Sequence, residues 1–504
     1  MSDIAFNEIP STIRLPAALV EIDNSGAVTT DALQPYKNLI IGQKGATGTI
    51  AALTPTRVTN PNQVRELAGA GSLLALMAET QLKNNDFTET LIVALDDDAA
   101  GVAATGSITF GGTVTTAGTL YLYIAGRRVK VAVLAAQAPS AIATAVQAAI
   151  AANTDLPITA AVDGVTAEKV NLTARNKGEC GNGIDVRVNY YDGESLPAGL
   201  TVTFSNGTGT VVGSPTPPWE WGAAVAGQVS YHANIDPARP FRTLVLETVL
   251  PPKESKGMRL SGGTGNPDIA PIWAALGETQ YNIVTTPYLD TANLVSLEDE
   301  LRDRWTGLRM IEGMAFTGAY GTHSALGTLG DSRNSPFLSI MAADGPFTFN
   351  ENNLLLFDGI STHEVGADGK VRIWQVITTY KVNAVGAEDI SYLKVNTILT
   401  LGYLRYDWRA VVNREFLAAR HKLANDGKRY KPTQKVATPK TIKARAVAWL
   451  RAKEDQGLVE NVDDAIARMV AGRNNQNPDR ADLYLPPNIV NQFDILATQL
   501  GFVL

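Results

Sequence analysis

Apolar and polar positions along this chain follow two periods, and the switches between them divide it. KNLIIGQK (37–44) reads as a strand. Val64, Leu67, Gly71, Leu74, Ala78 and Leu82 recur at helical spacing after a turn at Asn60-Pro61, and TLIVAL (90–95) is a continuous apolar run closed by Asp96, Asp97 and Asp98. Strand, helix and uninterrupted apolar strand predict a βαβ unit, because a parallel strand covered on both faces loses its alternation. The same rhythm returns later: YNIVTTP (281–287) as a strand, Leu294, Leu297, Leu301 and Trp305 as a helix stripe, MIEGMAFTG (310–318) as a strand, HSALGTLGDS (323–332) as a short helix and FLSIMAAD (337–344) as a strand. Alternation of this kind implies a sheet with helices on its faces.

Between these two stretches the composition changes. No charged residue occurs from Ala99 to Gly126. TLYLYIAGRRVKVAVL reads as a hairpin around Ala125-Gly126, PSAIATAVQAAIAAN as an Ala-rich helix, and KVNLTARN, DVRVNYY and GLTVTFSN as further strands, up to the Pro-rich SPTPPWEW (214–221). Residues 99–215 therefore read as a β-rich domain inserted into an α/β core made of 31–98 and 216–348.

A third region, 349–485, reads as α+β. LLLFDG (354–359) and VRIWQVITTY (371–380) are expected strands. Ile390, Leu393, Thr397, Leu401, Leu404, Trp408 and Val411 mark a long helix. TPKTIKARAVAWLRAK (438–453) is a second helix, with Thr438 placed to cap it and Pro439 in its first turn. AIARMVAG and DRADLYLPP are expected strands joined through NNQNP.

Both ends are apolar. Ile4 and Phe6 alternate with polar neighbours; Ile13, Leu15, Leu19 and Ile22 follow, with Pro10 and Pro16 forbidding a continuous helix. Phe493, Ile495 and Ala497 alternate with Gln492, Asp494 and Thr498, and Leu500, Phe502 and Leu504 alternate again, one residue out of phase. Chain ends usually fray, since they bury too little to offset their ordering entropy. Residues 1–30 and 486–504 thus read as strand-like arms. An arm is satisfied by folding back on its own sheet or by pairing with an exposed edge on another copy. If each copy both donates an arm and offers an edge, the contact is heterologous and closes into rings or runs on as a helix. Burying five or six large side chains per arm contributes roughly 1.5–3 kcal/mol each before ordering costs.

Charge refines this picture. The net charge is −7, yet Arg405 to Lys453 holds fourteen Lys and Arg against Asp407, Glu415 and Asp426, about +11, which leaves −18 for the remainder. That asymmetry points to an acidic partner for the segment, with a solvated basic surface as the plain alternative. Trp408 and Trp449 sit on apolar stripes rather than as stacking platforms, so a protein surface is expected over nucleic acid.

Candidate chemistry is sparse. His323, Ser324, Asp331 and Ser335 lie together in GAYGTHSALGTLGDSRNSP, but the G-x-S-x-G elbow is absent, and neighbouring His323 and Ser324 diverge on a helix. SGGTGNPD (261–268) lacks the Lys-Ser/Thr of a phosphate loop, and His363-Glu364 has no second histidine at zinc-protease spacing. The single cysteine, Cys180, excludes a disulfide framework, and no cofactor or metal is expected. The opening residues lack a signal peptide's basic and apolar regions, and no run of eighteen apolar residues exists, so no membrane insertion is expected.

Three stretches, SDIAFNEIPSTIRLPAALVEIDNS, SGGTGNPDIAPIWAALGETQYNIVTTPYLD and NNQNPDRADLYLPPNIVNQFDILATQLGFVL, together resemble the tail sheath proteins of contractile phage tails, most closely those of Mu-like phages and related prophages. The resemblance covers essentially the whole chain. It implies a sheath core carrying an inserted outer domain, and a helical polymer of stacked rings in which the arms add strands to neighbouring subunits. That role falls here on Ile4, Phe6, Ile13 and Leu15 and on Ile489, Phe493, Ile495, Phe502 and Leu504. It implies a grip on the tail tube protein by the C-terminal domain, with Lys440, Lys443, Arg445 and Arg451 as candidates. It also implies baseplate and tail terminator partners, contraction without nucleotide, assembly in a bacterial cytoplasm and a final place in the virion tail. Kept beside it are a phage-derived contractile particle without a genome, an α/β hydrolase-like oligomeric enzyme with a pocket near His323, and a nucleic-acid-binding structural protein.

Overall fold

A computed structural model of the chain describes residues 34–190, 194–205, 210–212, 246–247, 257–345, 347–365, 370–428 and 430–501. It is a mixed α/β protein with ten α-helices among the described residues. The described chain divides into two compact units, one spanning residues 36–402 and the other holding 403–501, with the boundary inside the helix Val395–Val412.

The larger unit is built on a nine-stranded sheet. Its order is Leu246–Glu247, Lys370–Gln375, Ile360–Val365, Leu338–Ala342, Met314–Ala319, Ile283–Thr285, Lys37–Gln43, Glu89–Leu95 and Thr56–Val58. The six strands from Ile360–Val365 to Glu89–Leu95 run parallel, and antiparallel strands flank them on each side. Leu39 lies in register with Leu91 on one side and Val284 on the other, so strands far apart in sequence share one sheet. Leu39, Ile41, Val93 and Leu95 face a core that includes the helices Ala270–Leu276 and Thr291–Trp305, whereas Ile40, Ile92 and Ala94 face the helices Pro61–Ala68 and Leu73–Asn84. Burial on both faces is the reason TLIVAL shows no alternation.

Two expectations need correction here. The stripe Val64 to Leu82 is carried by two helices rather than one. Gly69 and Gly71 have φ of +84° and +73°, Ser72 caps the second helix by accepting from Ala75 N–H, and a Cβ on Gly71 would lie 2.4 Å from the Leu156 carbonyl oxygen. LLLF, expected as a strand, ends the helix Phe349–Phe357 instead. Thr348 and Glu351 form a capping box that starts this helix, Gly359 at φ +88° ends it, and the strand begins at Ile360.

Within the same unit a β-sandwich interrupts the sheet. One layer has the strands Thr210–Val212, Leu200–Phe204, Ala103–Gly112, Lys169–Lys177 and Ile158–Val162; the other has Gly257–Arg259, Asp185–Val188, Gly118–Ile124 and Arg127–Val133. The helix Pro139–Ala152 packs into their shared core through Ile142, Val146 and Ile150. Ala125 (φ 46°) and Gly126 (φ 74°) make the tight hairpin turn between Ile124 and Arg127. The sandwich is joined to the sheet by part-buried polar contacts. Asn176 accepts from Leu73 N–H (2.9 Å) and donates to Lys44 O (2.8 Å), and the carboxylate of Asp97 accepts from Gln43 and from Lys177 N–H. Glu79, buried, lies 3.0 Å from Arg65 and 3.5 Å from Arg127 of the sandwich hairpin.

In the smaller unit, Leu404 and Val411 of the long helix pack with Ala446, Trp449 and Leu450 of the helix Pro439–Asp455 and with Val459, Val462, Ala465 and Met469. Thr438 caps that helix as expected, in a capping box with Thr441. The long helix begins at Val395, after Ile390 and Leu393, and a π-helical turn, Asn413–Leu417, follows it. AIARMVAG is another correction. Its first half belongs to the helix Val462–Arg468, whose buried Val462 and Ala465 fall at helical spacing and whose first turn carries Asp463 and Asp464; the strand is Val470–Arg473. That strand pairs antiparallel with Ala481–Tyr484 across NNQNP.

Candidate functional site

The candidate surface residues that are described belong to the smaller unit. Its ladders are short: Lys422–Leu423 with Val436–Ala437, Val459–Glu460 with Asn488–Ile489, and Val470–Arg473 with Ala481–Tyr484, each two-stranded among the described residues. A two-stranded ladder leaves backbone donors and acceptors along its outer edges.

Ile489 lies in register with Val459 and packs against the core around Trp449. The chain then leaves the fold. Residues 490–501 form no strand, and Phe493, Ile495 and Leu500 are 81%, 83% and 87% exposed. The alternation read as a strand therefore has no partner strand within the described chain. Of the remaining arm residues, Ile4, Phe6, Ile13, Leu15, Phe502 and Leu504 lie outside the described residues.

The four basic candidates on the helix Pro439–Asp455 have different surroundings. Lys440 is exposed, and its backbone N–H donates to Asp426 at 3.0 Å. Lys443 Nζ donates to the carbonyl oxygen of Met469 (2.6 Å). Arg445 holds Glu415 with both arms of its fork, at 2.6 and 2.8 Å. That charge-assisted pair holds the Glu415 carboxyl below its ordinary range. Arg451 pairs with Glu454 (3.0 Å) and Asp463. Thus three of the four are engaged by their own unit.

Lys453, part of the basic count, is interior. Its ammonium is 0% exposed, 2.9 Å from Asp407, 3.2 Å from Tyr403 Oη and 3.1 Å from Gln456, while Trp449 Nε1 donates to the same Asp407 oxygen at 2.6 Å. The outward basic charge lies instead on Arg420, Lys422, Lys428, Lys431, Lys435 and Lys440, all exposed, with Asp426 the single acid between 420 and 440. Segment charge located this region, but helical spacing alone did not separate the inward cations from the outward ones.

The enzyme-like loop of the larger unit serves the fold. His323 Nε2 is 3.0 Å from the Glu351 carbonyl oxygen and its ring stands edge-on to Phe347. Asp331 pairs with Lys381, and Ser335 exchanges hydrogen bonds with Thr379. None of the hydrogen bonds described joins His323 to Ser324, Asp331 or Ser335. Among the described residues no group of His, Cys, Asp and Glu side chains is arranged to hold a metal, and no helix is long and apolar enough to cross a membrane.

Comparison with known proteins supplies the context. Residues 99–201 match the phage tail sheath protein beta-sandwich domain, 262–345 the phage tail sheath protein central domain and 387–502 the phage tail sheath C-terminal domain. Among solved structures, the sheath tail protein Lin1278 of Listeria innocua is matched at 15% identity, covering 92% of this chain and 94% of that one with a TM-score of 0.40. The Mu-like prophage FluMu tail sheath protein of Haemophilus influenzae is 33% identical over 99% of this chain and the whole of that protein. With that relationship spanning both proteins end to end, and three sheath domains along its length, the chain belongs to the phage tail sheath protein family.

Proposed function

We propose that this chain polymerises as a helical sheath around a tail tube by exchanging its terminal arms, and that the sheath contracts to drive the tube through a host cell envelope. The observation that carries this reading is the segment 490–501: an apolar, alternating stretch, exposed along its length, leaving a unit whose ladders have two strands each among the described residues. A neighbour's edge supplies the missing partner, giving main-chain hydrogen bonds and burying Phe493 and Ile495. On this reading residues 1–30 and 490–504 are the linking arms, the nine-stranded unit up to residue 402 is the sheath core, the sandwich is the outer inserted domain and 403–489 is the C-terminal sheath domain. The strands Ile360–Val365 and Lys370–Gln375 thus move from the C-terminal domain expected over 349–485 into the core, Gly257–Arg259 joins the inserted domain expected over 99–215, and Asn488–Ile489 leaves the arm expected over 486–504. The role is structural rather than catalytic. Work comes from a packing change small per subunit and summed over many.

For the tube, the outward cations of 420–440 support a contact better than Arg445 or Arg451, whose carboxylate partners already neutralise them. Such exposed charge contacts are individually weak and screened by salt, which suits a contact that must release during contraction.

The test is negative-stain electron microscopy of the purified full chain beside a chain lacking 490–504. Hollow tubes from the full chain and folded monomers from the truncation are expected. Tubes from both, or small closed particles from the full chain at all concentrations, would overturn the arm-exchange reading.

A further inference from the structure

The larger unit carries an apolar face that its own described residues leave open. On the helix Phe349–Phe357, Asn352 and Leu355 point inward, while Phe349, Asn353 and Phe357 form an outward stripe at i, i+4 and i+8, with Leu354 beside it. Phe349 is 70% exposed, Phe357 68% and Leu354 53%. Trp374, on the strand Lys370–Gln375, stands edge-on to Phe349 with ring centroids 5.6 Å apart, extending the face onto the sheet. Together these side chains expose roughly 400 Å² of apolar surface, in the range where a patch marks an interaction site.

The helix brings little charge to the face. The single charged residue of the helix, Glu351, accepts from both the N–H and the hydroxyl of Thr348 at 2.8 Å, and its outward neighbours are the amides Asn350 and Asn353. Exposed aromatic side chains interleaved with uncharged amides on this helix fit the centre of a protein–protein interface better than a nucleic-acid or membrane surface. An apolar patch of this size also fits the centre of a contact burying about 800 Å² per partner.

We propose that this face is a contact between copies of the chain, made through the larger unit and separate from the arms. The inference rests on the sheath-polymer reading, which makes a second copy the neighbour. It gives each subunit a rigid-body contact that forms and breaks as a unit, alongside an arm link that persists.

The experiment uses the full chain. F349S/F357S is expected to melt within about 5 °C of the wild type as a monomer, the small loss being its Phe349–Trp374 ring contact, and to raise the critical concentration for tube formation at least tenfold. A photo-reactive benzophenone amino acid in place of Asn353, an exposed position that tolerates it, is expected to give covalent dimers of the chain on irradiating tubes and none on irradiating dilute monomer. Unchanged critical concentration, or irradiated tubes without covalent dimers, overturns the contact while leaving the sheath reading intact. A melting temperature of monomeric F349S/F357S lowered by more than about 5 °C, beyond what losing the Phe349–Trp374 ring contact accounts for, also overturns it, since the rings are then covered within one chain. If the wild type forms no tubes at any concentration, the polymer reading fails and this contact fails with it.

Discussion

The inserted sandwich and the C-terminal unit are both small α+β assemblies, yet they are finished to different degrees. The sandwich closes on itself. Its layers have five and four strands, its longest strand runs ten residues, and Ile108, Leu120, Leu122, Val170 and Leu172 are fully buried by its own side chains. The C-terminal unit has ladders of two to four residues, and the apolar stretch after Ile489 lies exposed. The first arrangement is that of a domain that folds alone. The second leaves strand edges unpaired among the described residues, the arrangement expected if, as proposed above, its sheets are completed by another chain.

The sharpest way to break this comparison is to remove the tail. Residues 491–501 are exposed, so on the arm reading deleting 490–504 is expected to leave the melting temperature of the monomer within about 2 °C of wild type while assembly is lost, because a small ΔΔG moves Tm little. A drop of 5 °C or more in a thermal melt would mean that the tail completes its own subunit, and the contrast with the sandwich would disappear.

Next in size is a lesion inside each region. Asp407→Ala strands the buried Lys453 ammonium and removes the acceptor of Trp449 Nε1, for an expected loss of about 3–5 kcal/mol. Leu122→Ala opens a cavity between the sandwich layers, for an expected loss of about 2–5 kcal/mol. Urea denaturation followed by hydrogen exchange locates each loss. Asp407→Ala is expected to lower protection only in 403–489, and Leu122→Ala only in the sandwich. Uniform loss from either would show that the regions unfold as one. The double variant Asp407→Leu/Lys453→Met is expected to recover most of the first loss, since the cost lies in the uncompensated charge.

Much of this architecture was legible in residue periodicity. KNLIIGQK, TLIVAL, the hairpin at Ala125-Gly126 and the Thr438 cap all stand where the pattern put them. The errors share one cause. LLLF and AIAR are short apolar runs that fit either period, and capping chemistry decided them: the Thr348–Glu351 box for one, Asp463 and Asp464 in the first turn for the other. The break at Gly69–Ser72 was signalled by two glycines inside a helical stripe. The candidate surfaces were legible only as regions. Composition pointed to a basic segment, but whether a cation faces out, as Lys440 does, or pairs inward, as Arg445 and Lys453 do, depends on Glu415 and Asp407, which come close only in the folded unit.

The smallest expected effect separates two ways of holding a carboxylate. In the C-terminal unit Glu415 is held below its ordinary range by Arg445, and in the sandwich Asp163 is held below its range chiefly by Asn171 and by the N–H groups of Thr166 and Val165. In both, the ionised form is favoured by folding, so the stabilisation is complete above the unfolded pKa and is lost as pH falls through it toward the folded value. For Glu415 that loss begins near pH 4.5. Salt divides them. The Glu415–Arg445 pair is partly exposed, contributes under about 1 kcal/mol at neutral pH and weakens as salt screens it. The Asp163 turn relies mainly on uncharged donors. At pH 7 the stability difference between wild type and Glu415→Gln is therefore expected to shrink between 0.05 and about 0.5 M salt, where the Debye length falls below the size of the site, while the difference for Asp163→Asn stays constant. Denaturant melts of both variants at the two salt concentrations read this directly. Equal salt dependence would mean that the sandwich turn also depends on its nearby Lys169, 3.5 Å away.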